Sequence, residues 1–290
     1  MPAPSAARRI RHRDPPGSRH ARLVIRLLGE VAATVDGRPL PELAGPRMQR
    51  LLARVALAQN AGVPRDRLAC ELWPDSTAAQ ARTNLRKLLH DLRRALPLPH
   101  EVLDADPRTV RWCGGRSTWF DILAFTDAAG GGDAETAARC YGGDLLPACE
   151  DDWVVAERER LRRLAVEMLA GLAGRADAER RDAAVVEHAR RLLTIDALHE
   201  PACRLLMHAL VRRGERSEAL RVYDRLAAEL ARDLKVTPEP ATTAIAHRLR
   251  AAKRAAHNGP ALVGRGRVAD GPRGVAGGGR RPRPAAARGR

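Results

Sequence analysis

Aromatic residues are scarce: Phe, Tyr and Trp together make up only 3% of the 290 residues. A chain of this length can hold two domains of the usual size, roughly 100–150 residues each. With so few rings their cores have to be aliphatic, and the abundance of Ala, Leu and Arg favours helix over sheet. Long apolar runs are missing as well. No stretch approaches the ~20 residues that a bilayer span needs, and no apolar segment follows the Arg-rich start as in a secretory signal. A cytoplasmic, nucleoid-associated protein with no membrane partner is expected. The five cysteines, Cys70, Cys113, Cys140, Cys149 and Cys203, are odd in number and never spaced as CxxC, which fits reduced, structurally minor thiols. The chain contains no H-E-x-x-H, no G-x-S-x-G and no G-x-x-x-x-G-K-[ST]. It is therefore read as a non-enzyme, with no metal, cofactor or catalytic residue expected.

Positive charge is plentiful, and its distribution matters more than its sum. The net charge is +16, of which residues 1–22 carry +5 and residues 256–290 carry +7. Between the tails, residues 46–96 hold ten Lys/Arg against four Asp/Glu, whereas 119–255 is nearly neutral. A single internal basic segment coinciding with a reading motif is a sharper sign of nucleic acid than basic tails are.

Residues 1–21 are Pro- and Arg-rich without periodicity and are expected to be a disordered basic tail. From Arg22 to Gly115, short β-prone runs around Gly29 and the Asp36-Gly37 turn pair predict a small antiparallel sheet. Three helices follow, over Pro46–Gln59, Pro64–Leu72 and Thr77–Leu96, and then a hairpin of Glu101–Leu103 with Thr109–Trp112. Sheet, three helices and hairpin make a winged helix-turn-helix. Residues 119–255 read as an all-α, tetratricopeptide-like domain, in which Ala183–Asp196 and Ala202–Leu226 resemble helix-turn-helix repeats. Residues 256–290, Gly-, Arg-, Pro- and Ala-rich, are expected to be a second disordered tail. The fold class is mainly α.

On the helix over Thr77–Leu96, Ala81, Leu85, Leu88, Leu89, Leu92 and Leu96 share one stripe. Thr83, Lys87, His90 and Arg94 then point away from the core, with Arg82, Arg86 and Arg93 along one flank. A face of this kind fits a major groove about 12 Å wide. A solvated amphipathic helix is the plain alternative; Arg108 and Thr109 on the following hairpin, placed to touch backbone or minor groove, favour DNA. Lys87 and Arg86 are assigned to base edges, and Arg93, Arg94 and Arg108 to phosphates. An adaptor that works through protein contacts, with little specific DNA binding, is the competing function.

LWPDSTAAQARTNLRKLLHDLRRAL resembles the recognition region of the Streptomyces antibiotic regulatory protein family. GGDLLPACEDDWVVAERERLR, RLLTIDALHEPACRLLMHAL and GERSEALRVYDRLAAELARDLKVTPEPAT resemble its bacterial transcriptional activator domain. The resemblance runs from about Leu23 to Arg250. It implies an OmpR-like winged helix, binding to promoter direct repeats as a homodimer, recruitment of RNA polymerase and control of secondary-metabolite genes. Where the family's repeat turn reads Asp-Pro, this chain has Asp196-Ala197. The LVGR at 262–265 resembles the start of the ATPase domain of larger members, and the expectation is a truncated or frameshifted form of such a regulator.

The acidic run Glu150-Asp151-Asp152, with Glu157 and Glu159, is expected to cap a helix near Trp153 rather than bind metal. Trp73 and Trp153 are expected as core anchors. A chain ended near Gly115 is expected to keep its operator preference and lose activation.

Overall fold

In a computed structural model, residues 23–114 and 118–257 are described; the tails, with their LVGR stretch, lie outside the described residues. One compact unit takes in the chain up to Arg250; of the second, Ala251–Arg290, the end of one helix is described. The fold is a small β-structure with three helices and a wing, followed by stacked helices.

Strands β1 (Leu23–Arg26) and β2 (Ala32–Val35) pair antiparallel, and β3 (Arg38–Pro39) extends the sheet beyond β2. Asp36 and Gly37 both carry positive φ, 49° and 78°, the backbone of a tight two-residue hairpin. Helices α1 (Pro46–Ala58), α2 (Arg65–Leu72) and α3 (Ala78–Ala95) follow, within two residues of the expected limits. Between α1 and α2 lies the short β4 (Val63–Pro64). The hairpin differs from expectation at its start: Pro99 opens a single helical turn, α4 (Pro99–Val102), so Glu101 and Val102 are helical and the strand begins at Leu103. Proline at the first helical position favours that turn. Strands β5 (Leu103–Ala105) and β6 (Thr109–Trp112) form the wing, and β6 also pairs with β4.

No strand was expected at 118–120, yet β7 (Thr118–Phe120) lies parallel to β1, pairing Leu23 with Thr118 and Ile25 with Phe120. It completes the sheet in the order β3-β2-β1-β7. Directly after it, Asp121 is 2% exposed. Its Oδ2 accepts from the main-chain N–H groups of Leu27 at 2.7 Å and Leu28 at 2.8 Å. Its Oδ1 accepts from Ile122 N–H at 2.7 Å.

The helical part runs through α5 (Asp121–Gly130), α6 (Ala134–Cys140), α7 (Asp152–Ala178), α8 (Asp182–Ile195), α9 (Glu200–Arg212), α10 (Arg216–Asp233) and α11 (Pro240–His257). From α7 to α10 each helix packs on the one before it, as stacked helical repeats do. The Asp196-Ala197 turn lacks the family's proline but is held by Asp196 Oδ1, which accepts from Leu198 N–H at 3.1 Å. Glu200 caps α11 from a distance: its carboxylate accepts from Glu239 N–H at 3.0 Å and from the Thr242 hydroxyl.

One hydrophobic core spans the sheet, the winged-helix helices and the start of the helical part, from Leu23 through Trp112, Phe120 and Phe125 to Leu161 and Ala165. The acidic run belongs to this junction. Asp151 stands at the N-cap of α7 but makes no capping bond through its side chain. Its two oxygens instead accept from Arg50 Nη1 of α1, at 2.9 and 2.7 Å. Arg54, one turn further along α1, pairs with Glu71 at 2.8 Å and lies over the Trp153 ring. Capping is thus displaced by a longer-range pair, because α1 brings a guanidinium to the place where the free N–H groups of α7 sit. Glu157 and Glu159 pair within α7 with Arg160 and Arg162. Trp73 and Trp153 are partly buried against the core.

The same junction demands glycine at position 29. Gly29 has φ +85°, its N–H donates to Asp144 O at 2.9 Å, and a Cβ there would come within 2.6 Å of Gly142 O. Gly29→Ala therefore combines left-handed strain, on the order of 1–3 kcal/mol, with a backbone clash. Thermal melting is expected to fall by several degrees, on the order of 2–4 °C per kcal/mol for a chain of this size, whereas alanine at Gly37, open all round, meets the strain without the clash.

The cysteines are free thiols. Burial pushes Cys140 up to about 11 and Cys203 up to about 12. Both are inert at neutral pH.

Candidate nucleic-acid interface

The helix expected to read DNA is α3, and its local sequence explains its orientation. Thr77 caps its start, accepting from Gln80 N–H at 3.3 Å. Ala81, Leu85, Leu89 and Leu92 are buried in the core. The opposite face is left to solvent. Thr83, Lys87, His90 and Arg94 are exposed on it, as periodicity predicts. Thr83 Oγ1 donates to Ala79 O and accepts from Arg86 Nη2 at 3.0 Å, which draws Arg86 along the helix surface.

The flank is less free than the outer face. Arg82 pairs with Asp66 of α2 at 2.7 Å, and Arg93 donates to Ala105 O of the wing at 3.0 Å. Both remain exposed. At the wing tip Asp106 accepts from the N–H groups of Arg108 at 2.6 Å and Thr109 at 2.7 Å, and from Thr109 Oγ1 at 2.6 Å. These bonds hold its carboxyl down to about 2, so the turn keeps its charged cap at any pH above that. Arg108 is left exposed, while Thr109 is half-buried and spent on the turn.

The sequence reading overlooked Arg65. It opens α2 and lies half-buried between α3 and the wing, donating its main-chain N–H to Arg108 O at 2.8 Å and Nη1 to Asp106 O at 3.1 Å. Burial lowers its pKa, and so do the nearby Arg93 and Arg86. Helical periodicity has nothing to say about a residue at a helix start, and the nearby hairpin was the only available signal. Together α2, α3 and the wing enclose a cleft of ≈ 740 Å³ lined by Arg65, Arg82, Arg86 and Asp106 among others. Among the described residues no group of His, Cys, Asp and Glu is arranged to hold a metal ion. No described helix is long and apolar enough to cross a membrane.

Residues 127–250 match the family model of the bacterial transcriptional activator domain. Over 247 residues the chain is 28% identical to the transcriptional regulatory protein EmbR of Mycobacterium tuberculosis, covering 79% of this chain and 63% of EmbR. Over 238 residues it is 28% identical to the regulatory protein AfsR of Streptomyces coelicolor, covering 77% of this chain and 24% of AfsR. The proteins that the chain resembles are thus named as regulators, transcriptional in the case of EmbR. A solved structure, Mycobacterium tuberculosis EmbR in complex with low affinity phosphopeptide, is similar at TM-score 0.55 and 27% identity over 80% of this chain and 65% of that one. The winged helix and stacked helices of this chain thus have a solved counterpart, and the chain spans less than two thirds of the length of EmbR.

Proposed function

We propose that this chain is a transcriptional activator of the cytoplasm that binds duplex DNA through α3 and the wing and contacts RNA polymerase through its helical part. The observation that carries the reading is the outer face of α3, where Lys87, His90 and Arg94 stand exposed beside a wing braced by Arg65 and Arg93. With α3 in a major groove, Lys87 and Arg86 meet base edges, and Arg93, Arg94 and Arg108 meet phosphates. The neutral helical part has little to offer DNA. Its groove of ≈ 340 Å³, lined by Leu193, Leu206, Val222 and Leu226, suits a protein partner, either polymerase or a neighbouring protomer on a direct repeat.

Selection of bound duplexes from a random pool with the full chain tests the reading, since it yields the preferred site and any repeat spacing together. Lys87→Ala is expected to cost ~1–3 kcal/mol and to relax preference at one position, roughly 5- to 150-fold in Kd. Arg94→Ala is expected to weaken all sequences alike. A pool that emerges without enrichment at moderate salt favours the competing reading, an adaptor acting through protein contacts.

A further inference from the structure

We propose that Arg65 is a phosphate contact, holding the DNA strand that runs between the reading helix and the wing. This rests on the reading of the winged helix as a DNA reader and adds to it a residue from α2.

The first support is how the side chain is held. Main chain and guanidinium of Arg65 are both fastened to the wing turn, at Arg108 O and Asp106 O. A guanidinium has five donors in a rigid fork, and the wing carbonyl takes one of them. Arg65 is thus fixed in place with donors to spare, at the wall of the cleft between α3 and the wing.

The second support is the charge around it. Two carboxylates line the cleft, Asp66 and Asp106. Asp66 is met by Arg82 at 2.7 Å, and Asp106 is turned onto the amides and hydroxyl of its own turn. Neither carboxylate pairs with Arg65, which shares the cleft with Arg86 and lies near Arg93. Partial burial and two like charges raise the cost of its positive charge more than the nearby Asp106 carboxylate lowers it, and an anion in the cleft offsets that cost. Fork geometry matches two oxygens of one tetrahedral anion. The anion that reaches this place when α3 lies in a groove is a backbone phosphodiester.

The test uses the full chain and a random-sequence duplex titrated between about 50 and 200 mM salt. Arg65→Ala is expected to weaken binding and to lower the slope of log K against log salt by about 0.9, one phosphate's worth. Arg65→Gln can still donate to the wing carbonyl but carries no charge, and is expected to lose the same slope; Arg65→Lys is expected to keep most of it. If Arg65 merely braces the wing, charge is irrelevant, and Gln and Lys, both donors to the wing carbonyl, leave the slope alike. Arg67→Ala, two residues on and paired with Glu71 at 2.7 Å, is the control and is expected to leave the slope alone. Melting curves exclude unfolding as the cause. An unchanged slope in Arg65→Ala, with Lys87→Ala still losing preference, overturns the contact and spares the DNA reading. If the parent chain shows no salt-dependent duplex binding at all, both fall. Inorganic phosphate that raises the melting point of the parent and not of Arg65→Ala, without competing with duplex, marks a free-anion pocket and overturns the assignment to DNA.

Discussion

A chain ended after Gly115 is expected not to fold, rather than to yield a free DNA reader. The cut removes β7 from the edge of β1, and with it Phe120, Ile122 and Phe125, all fully buried. Left behind are Leu23, Ile25, Leu27 and Leu28, each no more than 2% exposed in the whole chain. Exposing four such side chains costs roughly 6–12 kcal/mol, at about 1.5–3 each, against a total stability of about 5–15 for a domain. Circular dichroism and amide dispersion are expected to report a non-cooperative, largely unfolded fragment that aggregates. A cooperative melt with retained DNA preference in residues 1–115 rejects the shared core. The proposed division of labour between a DNA reader and a partner domain is therefore better tested by substitution than by truncation.

Asp121→Ala, at the first residue after β7, is expected to be strongly damaging. It leaves three N–H groups, of Leu27, Leu28 and Ile122, buried without acceptors. An orphaned donor costs ~1–3 kcal/mol, so a loss on the order of 3 kcal/mol or more is expected in urea unfolding. The same carboxyl gives stability a pH dependence. Burial pushes it up to about 7 from an ordinary 3.8, although the three amides favour its charged form. Because the folded value lies above the unfolded one, the folded state binds the proton more tightly. Its contribution is fully present below about pH 4 and is lost as pH rises through 7. Asp121→Asn removes that titration, so the difference between parent and variant is expected to change across pH 4–7 and to level off above it. A difference that stays constant over the window contradicts a raised pKa.

What could be read from the sequence was what short-range periodicity encodes. Helix α3 came out within a residue because its apolar stripe and its outward Thr83, Lys87, His90 and Arg94 repeat at helical spacing. The pairings that join distant segments were not readable. Strand β7 is three residues long, and its partner β1 lies at the far end of the winged helix, so no local alternation marks it. Asp151 looked like a cap because Asp before a helix usually is one; what redirected it was Arg50, 101 residues earlier. Arg65 was missed for a related reason, since its partners Asp106 and Arg108 are supplied by a hairpin some 41 residues on. The wing's first strand starts two residues later than expected because Pro99 opens a helical turn that takes in Glu101 and Val102.

The two edges of β1 also set an order of events in folding. On one side its partner β2 follows after a connection of only five residues, a closure that takes microseconds. On the other, β7 and Asp121 close a loop in which Leu27 and its acceptor are 94 residues apart, and loop entropy delays such a contact. At about 5–20 residues per second, synthesis of that intervening stretch takes on the order of ten seconds. Throughout it the nascent sheet has an unpaired edge beside apolar side chains. The winged helix is thus N-terminal in the chain but finishes late, and a chaperone that shields β1 is expected to raise the yield of folded protein more than one that acts on the completed helical repeats.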